Sequence, residues 1–61
     1  MKHEMKSYAI EIQGIKNGKK DTVLFSNVEA LTSREASYKA ENRAEELGYE
    51  HPITKGIHRN K

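Results

Sequence analysis

The chain reads as an α+β domain: a β-hairpin, one amphipathic helix and a short third strand in the order ββαβ, forming a three-stranded, mainly antiparallel sheet with the helix packed on one face. Three observations predict this. An Asn17-Gly18 dipeptide sits between two alternating apolar runs. A helix-start signature at Thr32 and Glu35 precedes alanines spaced four apart. After Pro52, Ile53 and Ile57 recur at strand spacing.

The hairpin carries the most specific signal. A two-residue type I′ turn needs positive φ at both central positions, which asparagine tolerates and glycine adopts without steric cost. With Asn17 and Gly18 at the turn, Lys16 faces Lys19, Ile12 faces Val23, Ile10 faces Phe25 and Tyr8 faces Asn27. Period-two alternation then puts Tyr8, Ile10, Ile12, Val23 and Phe25 on one face. The other face carries Ala9, Glu11, Gln13, Thr22, Leu24 and Ser26 and is mostly polar. The strands are expected over about 6–13 and 20–27, with Gly14 and Ile15 leading into the turn and Val28 to Leu31 turning the corner into the helix.

Thr32 and Glu35 form a capping box, each side chain meeting the other's exposed backbone donor, and Leu31 is placed to staple onto Ala36. Such a cap contributes about 1 kcal/mol. The helix is expected over 33–47, closed by Gly48 in the left-handed conformation with Tyr49 folding back on the last turn. Ala36, Ala40, Ala44 and Leu47 make its narrow apolar face, so the bulk of the core must come from the sheet, and Tyr38 flanks the stripe. Pro52 excludes helix beyond it. Ile53 and Ile57 share a face with Lys55 between them, and Gly56 weakens the strand or marks a bulge. Pairing this strand beside the first gives the preferred order, 2-1-3; the alternative, 1-2-3, would set it parallel to the second strand.

Sixty-one residues make a single domain with a thin core, since only 34% are hydrophobic against roughly 45–50% when glycine is counted in an ordinary globular chain. Residues 1–6 and 59–61 are expected to fray. With no cysteine, no disulfide is possible, and the remaining staple for so small a scaffold is a partner subunit, so a homodimer is plausible. A cytoplasmic setting fits that composition, no apolar run approaches the length of a membrane span, and the start lacks a signal core. The short, self-contained form suits an accessory protein of a phage or other mobile element, although no motif carries that suggestion.

The net charge of +2 conceals a dipolar layout. Residues 1–20 hold five lysines and two glutamates, residues 21–50 hold seven acidic and three basic side chains, and residues 51–61 add Lys55, Arg59 and Lys61. Catalysis is not expected: there is no thiol, the glycines are scattered at turns rather than in a phosphate loop, and Glu45 and Glu46 are adjacent on a helix and diverge. His3, His51 and His58 lack ligand spacing. No metal, cofactor or catalytic residue is indicated. Two binding functions remain. The favoured one is protein interaction, with a foreign partner or a second copy, through the uncharged edge of Thr22, Val23, Leu24, Phe25 and Ser26. The alternative is nucleic-acid binding through Lys16, Lys19 and Lys20 at the hairpin tip with Lys55, Arg59 and Lys61 toward the end, supported by Lys2, Lys6 and His58. The mixed-charge helix, whose Glu35, Glu41, Glu45 and Glu46 offset Arg34, Lys39 and Arg43, and the lack of a stacking aromatic pair on the exposed face argue against that alternative.

Overall fold

A computed structural model describes residues 5–60; the expectations placed on Lys2, His3 and Lys61 lie outside them. The elements are β1 (Lys6–Lys16), β2 (Lys19–Ala30), α1 (Ser33–Glu46) and β3 (Glu50–Arg59). They form one antiparallel sheet in the order β2-β1-β3 with the helix against one face. The α+β class, the ββαβ order and the central position of β1 follow the sequence reading.

Asn17 (φ 55) and Gly18 (φ 76) make the expected turn, and the register holds from Lys16↔Lys19 through Ile12↔Val23 to Ile10↔Phe25. Beyond that it departs. Tyr8 pairs with Val28, not Asn27, because Ser26 and Asn27 together oppose Ala9 in a β-bulge. The reason is a change of parity in the apolar pattern. Val23 and Phe25 are odd and Val28 and Ala30 are even, so one extra residue brings both pairs to the helix side. Val28 and Ala30 are therefore strand residues rather than a corner, and Ala30 is fully buried. Both hairpin strands run further than expected. Lys6 pairs with Ala30 and Arg59 with Tyr8, so both are strand residues.

β3 is bulged twice. Lys55 is extruded between the Glu11↔Gly56 and Ile12↔Thr54 pairs, and His51 with Pro52 opposes Gly14. The first bulge corrects the expectation for the isoleucines. Ile57 opposes Ile10 on the helix side, whereas Ile53 opposes Gln13 on the open face. His51 takes up the second bulge with φ 53, a left-handed conformation in which histidine is among the better-tolerated side chains.

The helix starts where expected. Thr32 Oγ1 accepts from the Glu35 N–H at 3.1 Å, but Glu35 Oε1 accepts from the Leu31 N–H at 2.8 Å, one residue before the cap. At the other end Gly48 (φ 99) supports a Schellman closure: the Gly48 N–H donates to the Glu45 carbonyl and the Tyr49 N–H to the Ala44 carbonyl, both at 3.0 Å. Ala36, Ala40 and Ala44 are buried, but Leu47 is 48% exposed and lies outside the core. Tyr8, Ile10, Ile12 and Ala30 complete that core, with Val23, Phe25, Val28 and Tyr49 half-buried around it.

Candidate functional site

In the order β2-β1-β3 the edges are β2 and β3, and they differ in how they are guarded. On β3, Pro52 has no N–H to offer and two bulges break the line of backbone groups. The β2 edge is regular from Lys19 to Phe25. In a two-residue hairpin the pair flanking the turn exchanges both hydrogen bonds. Alternation from Lys16↔Lys19 then aims the N–H and C=O of Lys20, Thr22 and Leu24 away from β1.

The chain covers two places along this edge itself. The Thr22 N–H donates to Asp21 Oδ1 at 2.9 Å, and Lys39 Nζ, from the helix, donates to the Glu29 carbonyl at 2.6 Å. At the bulge between them, Asn60 Nδ2 donates to the Ser26 carbonyl at 2.8 Å. What remains for a partner is a short window centred on Leu24, whose side chain is 60% exposed.

Of the five edge residues expected to form the interface, Thr22, Leu24 and Ser26 are exposed, while Val23 and Phe25 turn toward the helix and are half-buried. A groove of about 450 Å³ lies between β2 and α1 directly beside the Leu24 window. Phe25, Val28 and Ala40 supply apolar lining, and Lys39 and Arg43 supply cations. Sequence reasoning missed this wall. The four-residue spacing of Lys39 and Arg43, which puts both on one flank of the helix, was the available signal.

The nucleic-acid candidates are not gathered into one patch. Lys19 and Lys20 are exposed at the hairpin tip, but half-buried Lys16 sits with Nζ 5.0 Å from the centre of the Tyr49 ring. Arg59 lies opposite Tyr8 at the far end of β1, roughly 26 Å away at the usual rise per strand residue. Lys55 is exposed in its bulge partway between, and Glu50 opposes Ile15 close to the tip.

Beside that tip Tyr49 joins three elements. Its ring covers Gly14, Lys16 stands over it, and its hydroxyl donates to Asp21 Oδ2 at 3.4 Å. Partial burial, the Asp21 charge and this hydrogen bond hold the phenol above its usual range. Among the described residues no group of three His, Asp or Glu side chains is placed to hold a metal, and no helix is long and apolar enough to cross a membrane. Compared with protein families, curated proteins and solved structures, the chain matches none.

Proposed function

We propose that this chain is a small, non-enzymatic protein-interaction module that adds a partner's strand to the outer edge of β2 around Leu24, the partner being a foreign protein or a second copy of the chain. One observation carries the reading: β2 is an outermost strand whose Leu24 aims its backbone groups away from β1 and leaves its side chain 60% exposed. Main-chain pairing there would extend the sheet, with specificity set by side chains on the two faces. A cytoplasmic setting suits a chain without cysteine, and a role as a phage or mobile-element accessory protein suits its size.

Leu24→Lys tests it. The residue opposes Glu11 on the open face and makes no core contact, so the folded signal should survive. Capture of a partner from the native host, or dimerisation seen by sedimentation over a concentration range, should be lost. Unchanged association in this variant would remove the edge from consideration. The nucleic-acid reading is the weaker one because its cations are split between two ends of the sheet. Binding to labelled DNA or RNA that falls steeply with added salt would restore it.

A further inference from the structure

The part of α1 beside the groove is cationic, with Glu35 one turn before Lys39 and Glu46 one turn after Arg43 on the same flank. On the β2 side stand Lys39, bonded to the Glu29 carbonyl, and Arg43 one turn on. On the β3 side stands Glu41, which accepts a hydrogen bond from Thr54 Oγ1 at 2.9 Å, with Glu45 one turn on. The helix runs antiparallel to β2, since Lys39 meets Glu29 near the end of that strand while Tyr49, just past the helix, meets Asp21 near its start. The Lys39–Arg43 pair therefore overhangs the Leu24–Glu29 half of the β2 edge, where the groove opens.

We infer that the β2–α1 groove selects an extended acidic peptide segment: one that pairs its main chain with Leu24, sets an apolar side chain over Phe25 and Val28, and offers a carboxylate two residues away to Arg43 and Lys39. This rests on the reading of β2 as the docking edge. The geometry of a strand supplies the spacing. The partner residue opposite Leu24 lies on the open face, so its neighbours turn toward the helix and enter the groove. Successive groove-facing residues stand roughly 7 Å apart along a strand, close to the roughly 6 Å between positions four apart on a helix. An apolar–x–acidic pattern thus matches an apolar floor beside a pair of cations. A basic segment would meet like charge at the same place, which makes the selection one of sign.

The probe is an eight-residue peptide of threonine and serine carrying one isoleucine and, two positions on, one aspartate; its control has lysine in place of the aspartate. Amide shifts followed by NMR should move at Leu24, Phe25 and Val28, while Ile10 and Ile12 stay still and report an intact core. The aspartate peptide should bind about fivefold more tightly, the size expected of part-exposed ion pairs. Arg43→Glu should abolish or reverse that preference. Equal affinity of the two peptides, with Leu24 still shifting, would overturn the acidic selectivity and leave the edge reading standing. No shift at Leu24 with either peptide would remove both.

Discussion

At the scale of single residues, Gly14 has no room for a side chain. A Cβ there would stand 3.0 Å from Tyr49 Cβ and 3.3 Å from the Glu50 carbonyl oxygen. The obstruction includes backbone, so it cannot be relieved by a flexible side-chain tip. Gly14→Ala should therefore cost about 1–3 kcal/mol, as overpacking does, read as a lower denaturant midpoint with an unchanged slope. Asp21 accepts from both the Thr22 N–H and the Tyr49 hydroxyl. Asp21→Asn removes the charge that helps hold the phenol proton on, so the Tyr49 pKa should move down toward the ordinary value of 10.0, followed through its ring carbon by NMR. The linkage has a definite sign. A phenol pKa raised by folding favours the protonated, folded form. Its contribution is complete below pH 10 and is lost as the pH climbs through Tyr49's own higher value. A pH profile that did not change on substitution would show that Asp21 is not the partner.

At the scale of elements, local chemistry made the hairpin, both helix ends and the three alanines of the helix stripe legible, because each is written within a few adjacent residues. The Asn17-Gly18 turn sets the register as far as Ile10↔Phe25, and Thr32, Glu35 and Gly48 mark the helix. The bulges were harder to read. A strict period-two reading runs through Ser26-Asn27 and Lys55, and each skipped residue inverts every face beyond it. The clue for the first was present in Val28 and Ala30, apolar residues of the wrong parity. The clue for the second, Gly56, indicated irregularity without locating it. The groove was legible only in the spacing of Lys39 and Arg43 on one flank; its place beside Leu24 depends on the helix lying antiparallel to β2. The Ser26-Asn27 bulge also has a consequence for the edge. Deleting Asn27 keeps Phe25, Val28 and Ala30 on the helix side and restores a regular ladder, so the fold should persist. It also straightens the edge that the bulge interrupts. Regular, open edges recruit other strands, so the deletion should raise self-association in sedimentation without lowering the melting midpoint. Loss of the folded signal instead would mean that the bulge is required for packing rather than for keeping the edge solitary.

At the scale of the whole molecule, the question is whether a core this thin suffices alone. Ile10 and Ile12 are the largest side chains completely removed from solvent, and three of the remaining buried residues are helix alanines. A scaffold of this size draws roughly 3–5 kcal/mol from its core, and truncating one buried isoleucine removes roughly 2–5 kcal/mol. Ile10→Ala should thus remove most of that stability and leave a measurable unfolded fraction at room temperature when dilute. Association changes the outcome in a measurable way. If β2 pairs with a second copy, folding and pairing are linked by mass action, and the melting midpoint of both the native chain and Ile10→Ala must climb with protein concentration. Adding Leu24→Lys should flatten that dependence, because it acts on the edge and not on the core. A midpoint that stays constant over a hundredfold range of concentration would dismiss the second copy as occupant. The thin core would then be sufficient for a monomer, and the open window at Leu24 would be left to a foreign strand.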